Sequence, residues 1–173
     1  MELHMHSHHF ARRMPDWRAA AIAGIAAGAV YLFVGLIALW LMGESPWGPP
    51  RMIAAIVMGR DVLSQAVPGA GAVLAALVVH FVLAILFGLI LAGIMAPFSF
   101  DSSFGMASLA GALFGVAVYV IDFYGMTRVF PWFAEARGSL SFLAHMVFGL
   151  VAADAYRKLE KKEASVRGTG GNG

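Results

Sequence analysis

The chain contains no cysteine among its 173 residues, and Asp, Glu, Lys and Arg together make up only 13% of it. The first absence excludes a disulfide framework, a thiolate metal site and a thiol nucleophile. The second stands beside 60% hydrophobic residues and a mean hydropathy of +0.78, and it excludes a disordered chain. A water-soluble globule of this composition would expose large apolar patches. Enzyme signatures are missing too: no G-x-S-x-G, phosphate-binding loop, H-E-x-x-H or Rossmann fingerprint occurs. What remains is an integral membrane protein. The expected fold is all-α, a polytopic bundle of four transmembrane helices with an interfacial helix in the first outer loop.

A span needs roughly 20 apolar residues. Charged residues and prolines divide the chain into spans at about 19–43, 69–96, 104–121 and 138–156, with the interfacial helix at about 49–66. Residues 1–18 form a His-rich tail, and 157–173 a basic and then Gly-rich one. The first span reads as an uncleaved anchor, since it is longer than a signal h-region and lacks a small-x-small cleavage site. Arg12, Arg13 and Arg18 precede span one, and Arg157, Lys158, Lys161, Lys162 and Arg167 follow span four. The positive-inside rule then places both termini in the cytoplasm and the two longer loops outside. The net charge of +2 reflects those basic ends rather than nucleic-acid binding. Tyr156, Arg157 and Lys158 read as an interfacial anchor with snorkelling side chains.

Small residues recur at helical spacing in every span: Gly24 and Gly28, Ala84 and Gly88, Gly111 and Gly115, Gly149 and Ala153. In lipid such stripes let helix backbones approach closely, so they mark bundle contacts. His80, His145, Asp122 and Tyr31 fall on the same stripes and therefore point inward. His80, His145 and Asp122 lie at similar depth and are expected to converge in the outer half. The two outer loops each carry Pro-Trp, at Trp47 and Trp132, followed by Arg51 and Arg137. Both tryptophans read as interface anchors. Phe87-Gly88-Leu89 echoes Phe148-Gly149-Leu150, which suggests a duplicated two-helix hairpin.

Ser45-Pro-Trp-Gly-Pro-Pro-Arg-Met, His80-Phe81, Asp122-Phe-Tyr-Gly, Phe130-Pro-Trp-Phe and His145-x-x-Phe148-Gly149 form a pattern over residues 17–158. It resembles a family of small proteobacterial inner-membrane proteins with no established function. Some members carry the label sodium:proline symporter, which a chain this short does not support. In that pattern Asn is usual where this chain has Asp122, and again where it has Gly138, which weakens any role for a carboxamide there. The resemblance implies a bacterial inner-membrane location and no particular activity.

Intramembrane ionisable residues are costly and point to function, the bland reading being a neutral histidine hydrogen-bonded across helices. In one functional reading His80, His145 and Asp122, with Tyr31, Tyr119 or Tyr124, form a polar site for a proton, a cation or a small solute. Arg51, Arg137, Trp47 and Trp132 border it from the outer loops. In a second, His80 and His145 are axial ligands of a b-type haem, with an arginine on its propionates. In a third, the bundle is an assembly subunit, associating with copies of itself or with a larger membrane complex. An enzyme is the less favoured class, since Asp122 and Asp154 lie at opposite membrane faces. His4, His6, His8 and His9 form a tract that could hold Zn, Ni or Cu loosely. They belong on the cytoplasmic side, apart from His80 and His145.

Overall fold

The computed structural model describes residues 13–169, with side chains described as far as Lys161. The four histidines at 4, 6, 8 and 9 lie outside the described residues. Five α-helices run in chain order: α1 Trp17–Leu41, α2 Gly48–Met58, α3 Ala70–Met95, α4 Phe104–Val120 and α5 Ser139–Thr169. Four helical segments are long and apolar enough to cross a membrane: α1, α3, α4 continued to Arg128, and α5 as far as Lys161. The chain is thus an all-α, four-helix, multi-pass membrane protein.

Local chemistry sets the helix starts. Asp16 caps α1 by accepting from the Ala19 amide at 3.0 Å, and Ser103 caps α4 by accepting from Met106 at 3.2 Å. α2 opens on Pro49 and Pro50, whose missing amides cost nothing in a first turn. It stops at Gly59, where φ is +89°. That left-handed backbone breaks the single helix expected over 49–66 into α2 and a short 3-10 turn, Arg60–Ser64.

The helices pack in the order α3, α1, α5, α4, with α3 and α4 hardly touching. Two of the three seams are glycine seams. A Cβ on Gly24 would strike the carbonyl oxygen of Ala84, and one on Gly28 would lie 2.7 Å from the Ala84 Cβ. Across the other hairpin, Gly111 meets the Gly149 carbonyl and Gly115 meets that of His145. The third seam joins α1 to α5 through Ala19, Ala23, Ala27, Phe148, Ala152 and Tyr156. Large apolar side chains such as Phe33, Trp40, Leu74 and Leu113 face outward, as a lipid environment requires. The two glycine seams match: Gly24 meets the Ala84 carbonyl and Gly88 that of Ala20, as Gly115 meets the His145 carbonyl and Gly149 that of Gly111. The Phe-Gly-Leu echo is in register with these contacts, since Gly88 stands where Gly149 does.

Three expectations need correction. Span three does not close at Asp122. The helix runs on through a π-helical turn, Ile121–Gly125, and a 3-10 turn, Met126–Arg128. Span four does not end at Tyr156, since α5 continues to Thr169 and carries charge beyond its apolar part. Tyr156 is no interfacial anchor either, being 1% exposed. Its hydroxyl accepts from the Asp16 amide at 3.2 Å and donates to Glu160 at 3.3 Å, which pulls it inward. Asp154 faces away from the core and pairs with Arg157 at 2.9 Å and Lys158 at 2.5 Å.

The end of the bundle nearest the termini is closed by charge. Arg13 pairs with Asp101 in the α3–α4 turn and with Glu160 on α5. Asp101 is 3% exposed and one of its oxygens has no hydrogen-bond partner, so Arg13 carries most of its compensation.

Candidate functional site

At the opposite end, where the two long loops lie, the gap between α3 and α4 widens into a cavity of about 280 Å³. α2 roofs it with Ile53 and Ile56, while Ala54 and Val62 pack the roof onto Ala72 and Ala76 of α3. Tyr31, His80, Asp122 and His145 all line this space. Four polar groups from four helices thus meet in one apolar chamber. Tyr31 is the hub: its ring centroid lies 5.7 Å from that of His80 and 5.0 Å from that of His145.

The hydrogen bonds fix where protons sit. His80 Nε2 lies 2.9 Å from the carbonyl oxygen of Gly28. A carbonyl only accepts, so Nε2 carries the proton and Nδ1 is left as the acceptor. Gly28 lets α1 approach α3 here, because a Cβ on it would stand 2.7 Å from the Ala84 Cβ, one turn along from His80. His145 is held differently. Its Nδ1 donates to the Ser141 carbonyl at 2.7 Å, and its Nε2 lies 3.3 Å from Asp122 Oδ2. Lone pair facing lone pair would repel, so this contact calls for a proton between the two. Either His145 bears it as an imidazolium or Asp122 bears it as a carboxylic acid. Both arrangements leave the pair with no net charge, the tolerable state inside a membrane.

The π-helical turn sets Asp122 in place. Such turns leave a carbonyl without its usual partner. Here Arg137 supplies one, donating from Nε to the Phe123 carbonyl at 2.6 Å. The same guanidinium reaches Thr127 Oγ1 at 3.2 Å and lies 4.5 Å from the centre of the Tyr124 ring. Arg137 therefore braces the Asp122 turn from behind and stays out of the chamber.

The other expected residues are placed as follows. Tyr119 is buried behind His145, with ring centroids 5.9 Å apart, and does not line the cavity. Tyr124 is exposed. Arg51 bonds the carbonyls of Trp47 and Gln65, at 3.2 and 2.5 Å, and with Trp47 borders a second cavity of about 690 Å³. Tyr31 and His80 line both cavities and so form part of the wall between them. Trp132 is not an interface anchor. It is 9% exposed, and its indole donates to the Met52 carbonyl at 3.0 Å, clamping the second loop to the roof. Five phenylalanines that the sequence offered in motifs but not as site residues complete the chamber: Phe87, Phe123, Phe130, Phe133 and Phe148. They meet one another across the chamber, Phe87 with Phe148 and Phe133 with both Phe123 and Phe130.

Two cofactor readings can be tested against this geometry. Axial histidines must offer free nitrogens to one iron from opposite sides. Here both nitrogens of His145 already have partners on the protein, as does His80 Nε2, and the Tyr31 ring lies against both imidazoles. The residues do not fit a bis-histidine haem. Nor do they fit the metal reading: among the described residues no three His, Asp or Glu side chains are grouped to hold a metal ion.

Fold and site together define a small polytopic membrane protein with a His145–Asp122 pair in an aromatic chamber. No family model, no curated protein and no solved structure matches the chain.

Proposed function

We propose that this is a small transport-type protein of a bacterial inner membrane, with both termini in the cytoplasm, and that its Asp122–His145 pair couples ligand binding to protonation. The orientation rests on the basic residues flanking spans one and four, and the location on the resemblance described above. One observation carries the coupling. His145 donates from Nδ1 to a backbone carbonyl while Nε2 faces a carboxylate, so the pair holds a proton that a ligand can displace. A histidine suits such exchange because imidazole titrates near neutral pH in water.

Infrared difference spectra between acid and alkaline pH, on protein in bilayers, test the reading. The expected result is a pH-dependent carboxyl band that is absent in Asp122→Asn and displaced in His145→Gln. A spectrum with no contribution from Asp122 across the pH range in which the bundle stays folded would overturn it.

A further inference from the structure

We infer that the chamber binds a small organic cation, a substituted ammonium with an apolar arm, which enters from the side between α3 and α4. The inference rests on the proton-sharing reading of Asp122 and His145 and names the ligand class for that site.

Charge at the site favours a cation. Among the described residues the ion-pair partner of Asp122 is His145, with no Lys or Arg beside it. The titratable and charged groups around the carboxylate are His145 on α5, Tyr31 on α1 and His80 on α3, with Tyr119 and Tyr124 on its own helix. Arg137 from the second loop is held on the Phe123 carbonyl, and Arg51 on the roof helix on those of Trp47 and Gln65. When the shared proton leaves, the pair is left with one negative charge in an apolar space, which is costly. An entering cation restores neutrality. The exchange balances: one cation goes in, one proton goes out to water, and no covalent bond to carbon or nitrogen of the ligand changes.

The lining favours a cation as well. Phe87, Phe123, Phe130, Phe133, Phe148 and Tyr31 line the same cavity as the carboxylate. Aromatic rings attract cations through their negative faces, and most strongly where water is scarce. An anion would meet that same field as repulsion.

The chamber opens sideways. Leu83, Ile121 and Met126 line the chamber while remaining 36%, 52% and 37% exposed. They stand on α3 and on the continuation of α4, the two segments that hardly touch. A lipophilic ligand can therefore come in from the lipid side. The volume of about 280 Å³ admits a small head and leaves a longer arm in the gap.

The test is equilibrium dialysis of radiolabelled benzyltrimethylammonium against the detergent-solubilised full chain, with pH recorded in weak buffer. Neopentylbenzene, its uncharged isostere, serves as competitor. Saturable binding is expected, with release of up to one proton per cation bound, poor competition by the isostere and at least tenfold weaker binding in Asp122→Asn. Asn retains a hydrogen-bonding side chain of the same size, so the fold of that variant is checked by its helical circular dichroism. Equal binding by Asp122→Asn, or equal competition by neopentylbenzene, would overturn the inference. So would no binding at all to a folded wild-type protein. In that last case an Asp122-dependent infrared band would still stand, which separates the failure of the ligand class from that of the proton-sharing pair.

Discussion

His145 Nε2 and Asp122 Oδ2 lie 3.3 Å apart across the α4–α5 seam, with the other imidazole nitrogen already committed to the Ser141 carbonyl. The seam that brings them together is made of glycine. A Cβ on Gly115 would run into the His145 backbone, so the absent side chain determines how close the carboxylate and the imidazole stand. Small residues and the polar pair are parts of one arrangement.

Enlarging the seams should therefore destabilise the bundle. Gly111→Val and Gly115→Val each press a side chain onto backbone atoms of α5, a clash that flexible neighbours cannot absorb. We expect losses of about 1–3 kcal/mol apiece in detergent unfolding curves, the usual range for overpacking. Gly35→Ala is the contrasting variant, since nothing lies within 4 Å of the added carbon. It should be neutral or slightly stabilising.

At the end of the bundle nearest the termini, Tyr156→Phe keeps the buried ring and removes two hydrogen bonds, to Asp16 and Glu160. A loss of about 1 kcal/mol is expected by the same unfolding measurement. Arg13→Ala should cost about 1–3 kcal/mol, because it leaves the buried Asp101 uncompensated. The figure is set below that for a fully buried pair because Arg13 is itself 47% exposed. Adding Asp101→Asn to Arg13→Ala should recover much of the loss, since the uncompensated charge is then gone.

Trp132→Phe should loosen the roof without emptying its packing. The lost indole hydrogen bond to Met52 is worth about 0.5–1.5 kcal/mol. Hydrogen exchange should accelerate in α2 and in Pro131–Ala136 while the central turns of α1 and α5 stay protected.

Arg137→Gln should act on the π-helical turn. Without the guanidinium on the Phe123 carbonyl, exchange of the amides between residues 121 and 126 should speed up several-fold. The helix below Val120 should be unaffected. Uniform exchange along α4 would show that Arg137 does not brace the turn.

The sequence carried some of this openly and concealed the rest. Four spans follow from hydropathy, and the inward positions of His80, Asp122 and His145 follow from their spacing to Gly and Ala. Both rest on helical periodicity, a local property. The contacts that corrected the reading are not local. Trp132 finds its acceptor 80 residues away on α2, and Tyr156 finds Asp16 140 residues away. An aromatic residue near a span end reads as an interface anchor until its partner is known. Asp122 reads as a span terminus because a carboxylate usually is one. The turn that keeps it inside the helix depends on Arg137, fifteen positions further on. Tyr31 looked like one more stripe residue, yet its ring meets both histidines because α1 packs between α3 and α5. Only that packing order makes it the hub.

The central claim is that one proton is held between His145 and Asp122, and nitrogen NMR of selectively 15N-histidine-labelled protein in bilayers tests it most directly. For the wild type near neutral pH, we predict a His145 whose Nδ1 is protonated and whose Nε2 resonance is that of a nitrogen bound to, or sharing, a proton. In Asp122→Leu the same Nε2 should become a bare acceptor while Nδ1 is unchanged. A wild-type His145 whose Nε2 is already bare at that pH, indistinguishable from the Leu variant, would contradict the account.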